Sequence, residues 1–279
     1  MMTETTATTL YFANFLSPLL QDAYLYIARF LGTQVGKTTK FHTGTTLDEF
    51  SHGWTHIAFL CGLQYIRLRQ QAAEIELLAA PVLRGLRYQN RPIYFSDVVV
   101  RRDRPYCSFA DLRDKVWAYN EVGSHSGYNV VGYSMLQRHF SPDYFRSMQP
   151  SGSHWQSLQM VIEGQADATA LDSHVFDIIL RRNQRIAAQV RWIDVFGPSS
   201  VPPLVISTRL DPQLRQELRN ALLTMHQHPS SAEILHEAGI ERFVAVRDEQ
   251  YNDIRLMDER VHTSAFAQAP VSLASSINI

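Results

Sequence analysis

The residues with the clearest chemical potential form a short polar turn in the middle of the chain, Ser124-His125-Ser126-Gly127. The apolar run Val116–Tyr119 precedes it and helical spacing follows it, which predicts a strand, a tight loop and a helix start. The first N–H groups of a helix have no intrahelical partner and can bind an anion, and serine hydroxyls add donors. Because the turn has no lysine or arginine, neutral dipoles would hold an oxyanion there. In a second interpretation, which stays open, the serines only cap the helix.

Two further polar residues stand beside predicted helices. His154 follows Gly152-Ser153 just before a helix, and Asp172 lies between the predicted strand 168–171 and the predicted helix 173–182. Asp172 could cap that helix, the usual role of aspartate there, and still offer an oxygen to a ligand amine. Ligands of α/β sheets bind beyond the carboxyl ends of the strands, so we expect both residues near the polar turn.

An enzyme is an alternative, because the serines of the turn, His154 and Asp172 supply every residue type of a Ser-His-Asp triad. A nucleophile elbow, however, has serine at its centre between two glycines, where this chain has His125. The sequence therefore favours a binding protein without catalysis, and a serine hydrolase is the weaker hypothesis.

Composition and charge limit the partners. The chain has 279 residues, of which 45% are hydrophobic, enough to fill two cores and to predict two lobes. A formal net charge of -1 and a pI near 6.8 provide no field for nucleic acid or an acidic membrane surface. A small solute remains the expected partner.

The sequence predicts no metal and no cofactor. Cys61 and Cys107, the only cysteines, form no Cys-x-x-Cys pair and lie at no zinc-ligand spacing. His52 and His56 have helical spacing but lack the glutamate of a His-Glu-x-x-His motif. A disulfide between the cysteines stays open, although Cys61 lies in an apolar run and is expected to be a buried hydrophobe.

The N-terminal residues 1–9 are polar and rich in threonine, without the basic start and apolar run of a secretory signal. No segment approaches the length of about 18 apolar residues that a membrane helix needs. We expect a soluble chain, which is either a mature form whose leader was removed or a cytoplasmic protein.

Strand-like and helix-like segments alternate along the first part of the chain. Four predicted strands, separated by helices, form a βαβαβαβ pattern: 10–13, 38–42, 55–60 and 75–80. This pattern predicts a mainly parallel sheet with helices on both faces.

A second αβ series lies between two β-rich runs, 93–100 and 203–207. The simplest assembly is a first lobe from residues 1–94 and 201–262, with residues 95–200 inserted as a second lobe. Residues 263–279 carry no charge and are rich in alanine and serine, so we expect a flexible tail.

The order and spacing of several motifs resemble the phosphonate-type periplasmic substrate-binding proteins of ABC transporters, over roughly residues 8–260. The motifs that carry the resemblance are Ala79-Ala80-Pro81-Val82, the region from Arg87-Tyr88 to Tyr94-Phe95-Ser96-Asp97, Phe109-Ala110-Asp111-Leu112-Arg113, Ser124-His125-Ser126-Gly127-Tyr128, Gly152-Ser153-His154 and Gly164-Gln165-Ala166-Asp167-Ala168. The resemblance implies a type II periplasmic-binding-protein fold, an α/β clamshell whose two lobes close on a small solute without catalysis.

The resemblance also implies which residues bind the ligand in the interlobe cleft. The polar turn would hold the oxygens of a phosphonate, phosphite or phosphate ester, and a histidine would donate to the same group. Two tyrosines would line the pocket, and an aspartate would meet an amino group. By position these residues are Tyr65, Tyr94, Ser124, His125, Ser126, Gly127, His154 and Asp172.

An ABC permease as partner, a monomeric state and a periplasmic location are further implications of the resemblance. The chain departs from the family pattern in showing no leader, so a cytoplasmic sensor with the same clamshell is the alternative. His125 stands where the family often has a smaller residue, which leaves room for a ligand other than a simple phosphonate.

Overall fold

The computed structural model describes residues 9–264 of the chain. These residues divide into two compact units. The first unit contains the described residues up to Ile93 together with Ser200–Asp253, and the second contains Tyr94–Ser199 together with the described residues from Ile254 onward. The predicted tail, 263–279, lies almost wholly outside the described residues.

The strands are β1 (Thr9–Asn14), β2 (Thr38–Thr43), β3 (Ile57–Phe59), β4 (Ile75–Leu83), β5 (Ile93–Arg101), β6 (Val116–Tyr119), β7 (Ser147–Pro150), β8 (Ala168–Asp172), β9 (Val190–Ser200), β10 (Leu204–Ser207) and β11 (Ile240–Val244). The helices are α1 (Gln21–Gln34), α2 (Gly62–Gln70), α3 (Val130–Gln137), α4 (His154–Glu163), α5 (Ser173–Arg182), α6 (Gln184–Gln189), α7 (Pro212–Thr224), α8 (Pro229–Glu237) and α9 (Asn252–His262). None of these helices has both the length and the apolar character of a bilayer-crossing segment.

The sheet of the first unit has the order β11-β4-β10-β3-β1-β2. Strand β1 pairs in parallel with β2 and β3, whereas β10 pairs antiparallel with both β3 and β4. Strand β11 continues the sheet antiparallel to β4. The predicted α/β class is confirmed, and the parallel neighbours β1, β2 and β3 agree with the predicted pattern. The sheet is mixed, however, because β10, predicted as the β-rich run 203–207, and β11 pair antiparallel with their neighbours.

The sheet of the second unit has the order β7-β6-β8-β5-β9. Strand β6 pairs in parallel with β7 and β8, and β5 runs antiparallel to β8. The fully buried Trp117 of β6 stacks on Phe145, with ring centroids 4.8 Å apart, and meets Phe109 edge to face at 5.7 Å. This aromatic core holds β6, the strand that leads into the polar turn.

Most of helix α9 lies in a different unit from the one predicted, because the predicted first lobe included residues up to 262. From Ile254 onward it belongs to the second unit, because its apolar side packs there. Met257 contacts the aromatic core, and Val261 lies 3.4 Å from the point where a Gly132 Cβ would be.

Strand β7 and the burial of Cys61 also differ from what the sequence predicts. β7, with the sequence Ser-Met-Gln-Pro, has no alternation of apolar and polar residues and ends in a proline suited to an edge strand, so its pattern gave no signal. Cys61 and Cys107 form no disulfide with each other, and Cys61 is partly rather than fully buried.

Candidate anion-binding site

Three loops of the second unit meet at one edge of its sheet. Because β6, β7 and β8 are parallel neighbours, the residues that follow their carboxyl ends lie at the same edge. Strand β5 is antiparallel to β8, with Ser96 opposite Asp172, so its first residues lie there as well. The loops after β6 and β7 are also joined directly, since the Gly152 N–H donates to the Asn120 carbonyl at 2.8 Å.

The helix after β6 starts with a wide turn over His125–Asn129, in which a carbonyl accepts from the N–H of the residue five positions further along the chain. The Asn129 N–H donates to the Ser124 carbonyl at 3.0 Å, and α3 continues from Val130. The Ser124 hydroxyl caps the turn by accepting from the Gly127 N–H at 3.1 Å. The structure therefore has the strand, loop and helix start that the sequence predicts, with Ser124 in the capping role.

Two backbone N–H donors of this turn have no acceptor among the residues that the structure describes. The N–H groups of His125 and Ser126 precede the first helical hydrogen bond and bond to nothing within residues 9–264. Both residues are buried. A buried N–H without a partner costs free energy, and at the positive end of a helix an anion satisfies it best.

The His125 side chain points into the unit and is fully buried. Its Nδ1 lies 3.2 Å from the Asn129 amide nitrogen, which can only donate, so the ring proton is on Nε2 and donates to the Ser199 hydroxyl at 3.0 Å. Burial lowers the pKa of His125 to about 3, so the ring is neutral. With both nitrogens engaged, His125 has only its backbone N–H to offer a ligand.

Ser126 and His154 face each other across two loops. The Ser126 hydroxyl lies 3.2 Å from Nε2 of His154, the first residue of α4, and the Ser126 carbonyl accepts from the Ser96 hydroxyl at 2.6 Å. Burial lowers the pKa of His154 to about 4, so this ring is also neutral. Its Nδ1 is buried and has no partner within the described part of the chain.

Asn120, the residue directly after β6, is a polar residue of this site that is not among the predicted ligand-binding residues. Its Oδ1 is buried and has no donor among the residues that the structure describes. A Cβ on Gly127 would lie 1.9 Å from this oxygen, so no larger residue fits at position 127 without moving Asn120. The signal that selected Asp172, a polar residue at the carboxyl end of a strand, applies equally to Asn120.

Asp172 caps α5. Its Oδ1 accepts from the N–H groups of His174 and Val175 at 2.8 and 3.2 Å. Burial raises the pKa of Asp172 to about 7, aided by the negative charges of Asp97 and Asp177, although the two backbone hydrogen bonds act in the opposite direction. The capping interpretation is confirmed, and a contact with a ligand amine stays a prediction.

The two predicted tyrosines belong to different units. Tyr94, in β5, is buried, and its ring centroid lies 6.3 Å from that of His125. Tyr65, in α2 of the first unit, donates its hydroxyl to Asp248 at 2.5 Å and packs edge to face on Tyr251. All predicted ligand-binding residues except Tyr65 therefore belong to the second unit.

The geometry does not form a catalytic triad. Ser126 and His154 are within hydrogen-bonding distance, but the second ring nitrogen of His154 meets no carboxylate within residues 9–264. The capping oxygen of Asp172 is bound to backbone N–H groups instead. The base of a hydrolase would lack the group that orients it.

Residues 11–251 match the model of a family described as the periplasmic phosphonate substrate-binding protein of ABC transporters. The match covers most of the chain and includes every residue of the candidate site. A search of curated proteins finds no match.

Solved structures of similar fold support the architecture. The structure of PhnD1 from Prochlorococcus marinus in complex with methylphosphonate has a TM-score of 0.82 at 17% identity and covers 92% of this chain and 99% of its own. A binding protein of an ABC phosphonate transporter from Pseudomonas aeruginosa has a TM-score of 0.78 at 18% identity and covers 91% and 86%. A Xanthomonas citri protein bound to ATP has a TM-score of 0.69 at 18% identity and covers 92% and 98%.

At these identities the structures establish the type II periplasmic-binding-protein fold, whereas the family match rests on the sequence itself. The neutral helix start, the fold and the family match agree with one another. This chain belongs to the family of periplasmic phosphonate substrate-binding proteins of ABC transporters.

Proposed function

We propose that this chain binds a small phosphonate, phosphite or phosphate ester, without catalysis, for uptake through an ABC permease. The oxyanion would sit against the helix start after β6. The observation that carries this proposal is the pair of buried N–H groups of His125 and Ser126, which have no acceptor within the described residues.

The donors around this position are neutral. The turn contains no lysine or arginine, and burial lowers the pKa values of both His125 and His154, so neither imidazole carries a charge near neutral pH. Dipoles and hydroxyl groups can hold an anion at a helix start without a cationic side chain. Such a site binds reversibly, as a transport protein must.

Asp172 supports a narrower ligand class, the aminophosphonates. Its carboxyl group lies at the same sheet edge as the turn and carries a raised pKa of about 7. A ligand ammonium group beside it would favour the ionised carboxylate and form a charge-assisted hydrogen bond. We infer that the oxyanion end contacts the turn and an amine end contacts Asp172.

Calorimetry of the purified chain against phosphate, phosphite, methylphosphonate, 2-aminoethylphosphonate and sulfate tests the proposal. We expect at least one phosphorus oxyanion to bind more tightly than sulfate. If none of the phosphorus compounds binds, the proposed function is wrong.

Ser126→Ala then tests the position of the ligand. Loss of the hydroxyl should cost about 1 to 3 kcal/mol of binding, because a ligand oxygen loses its donor. Ser134→Ala is the matched control, since the Ser134 hydroxyl lies further along the same helix and donates to the Val130 carbonyl. Equal affinities of the Ser126 variant and the control variant would remove Ser126 from the site.

A further inference from the structure

We propose that Asn120 is a ligand-binding residue of this site, whose side-chain NH2 donates to the bound oxyanion, and that Gly127 is required because it positions that amide. The inference rests on the proposed function and adds to it a contact that the motifs of the turn do not contain.

The position of Asn120 is set by its backbone. It follows the last residue of β6, and its carbonyl accepts from the Gly152 N–H at 2.8 Å, next to the bond from the Ser151 N–H to the Tyr119 carbonyl. Asn120 is thus held between the loop that leads to the polar turn and the loop that leads to His154. Its side chain contacts the polar turn at Gly127, and its backbone contacts the loop that leads to His154.

The orientation of the amide is set by Gly127. The Asn120 Oδ1 lies 1.9 Å from the point where a Cβ of Gly127 would be, so it stands in front of the hydrogen that glycine carries there. An oxygen can approach the Gly127 Cα this closely because it accepts a weak C–H···O contact. An NH2 group in the same place would bring its hydrogens into a steric clash with the Gly127 hydrogen. The same point is 3.3 Å from the Ser124 hydroxyl oxygen, which places the amide at the capped end of the turn.

With the oxygen turned toward Gly127, the amide nitrogen faces the other way. The oxygen is buried, whereas the nitrogen is not shut off from solvent and makes no hydrogen bond to any residue within 9–264. The NH2 group of this half-buried residue has no acceptor within residues 9–264, and Asn120 contacts the turn that carries the two unbonded N–H groups, so the NH2 group is a donor available to an anion. Asn120 would therefore extend the neutral donor set that the turn provides.

The test compares Asn120→Ala, Asn120→Asp and wild type for binding of methylphosphonate and of phosphite by calorimetry. We expect Asn120→Ala to weaken binding about five- to tenfold, the effect of one neutral hydrogen bond. Asn120→Asp keeps the shape but replaces the donor with a negative charge, so we expect a loss of about 50-fold or more.

A double-mutant cycle tests the role of Gly127. Gly127→Ala displaces the amide and should weaken binding in the wild-type background, but much less in the Asn120→Ala background, where no amide remains to displace. The thermal unfolding midpoint without ligand is the structural control. It should change by less than about 2 °C in Asn120→Ala, because the side chain donates and accepts no hydrogen bond within residues 9–264.

The outcomes separate this inference from the proposed function. If wild type binds neither methylphosphonate nor phosphite, the proposed function fails and the inference fails with it. If wild type binds and Ser126→Ala weakens binding, but both Asn120 variants bind like wild type, only the inference is wrong. Full additivity of Gly127→Ala and Asn120→Ala would overturn the positioning role of Gly127.

Discussion

Two helix starts of the second unit lie at the same sheet edge but differ in whether their first N–H groups have an acceptor within the described residues. At α5, Asp172 supplies its own carboxylate oxygen, which accepts from two backbone N–H groups. At the helix after β6, the Ser124 hydroxyl accepts only from the Gly127 N–H, and the N–H groups of His125 and Ser126 have no acceptor within residues 9–264. A helix start can bind an anion from solution when its own cap does not provide one.

The titratable groups at the two helix starts also differ in charge. Asp172 is a buried carboxyl with a raised pKa of about 7, whereas His125 and His154 beside the polar turn have lowered pKa values and are neutral. One end of the proposed site is therefore suited to a cationic group and the other to an oxyanion. A zwitterionic aminophosphonate would match both ends.

The largest expected change in affinity comes from giving the helix start after β6 an aspartate cap like that of α5. Ser124→Asp keeps an oxygen that accepts the Gly127 N–H but adds a carboxylate where the oxyanion would bind, as Asp172 does at α5. We expect affinity for methylphosphonate to fall at least about 100-fold, with the fold retained.

Asn183→Asp is the matched control for that variant. Asn183 caps α6 in the same unit by accepting from the N–H groups of Arg185 and Ile186, so the variant adds the same charge at another helix start. Calorimetry should show unchanged affinity for the control. An unchanged affinity of Ser124→Asp would place the oxyanion somewhere other than this turn.

A smaller effect is expected from removing the charge of Asp172. Asp172→Asn should weaken 2-aminoethylphosphonate about tenfold relative to methylphosphonate, because only the former presents an amine to the carboxylate. Asparagine still caps a helix, so the stability should change little. If the ratio of the two affinities, measured by calorimetry, is the same in variant and wild type, Asp172 is a cap and has no role in ligand selection.

The smallest expected effect concerns stability and pH. The pKa of Asp172 is about 7 in the folded chain, above its usual value, so the folded state binds the proton more tightly than the unfolded state. Its contribution to stability is present at low pH and is lost as the pH rises through the folded pKa. The free energy of unfolding of wild type, measured relative to Asp172→Asn by urea titration, should fall by about 1 kcal/mol from about pH 6 to about pH 7. A constant difference between the two proteins across that range would contradict the raised pKa.

Much of the fold follows from local patterns. The alternation of strands and helices predicted the α/β class, and the run before Ser124 predicted the strand and the helix start of the candidate site. These features depend on residues a few positions apart, which a sequence displays directly. The antiparallel insertion of β10 between β3 and β4 was not predictable in this way, because the strand order depends on packing between segments far apart in the chain.

The sequence by itself determined the capped, cation-free turn, the helix start behind it and the resemblance to phosphonate-binding proteins, since each is a short-range pattern of residue types. Only the tertiary structure decided what each side chain of the site does. It engages the His125 ring with Ser199, brings the Ser126 hydroxyl to His154, and sets the Asn120 amide against Gly127. The first two contacts join residues 74 and 28 positions apart, and the contact of Ser126 with His154 exists because the parallel strands β6 and β7 end at one sheet edge and bring their loops together. Strand register and side-chain packing set these distances, and no local pattern encodes them.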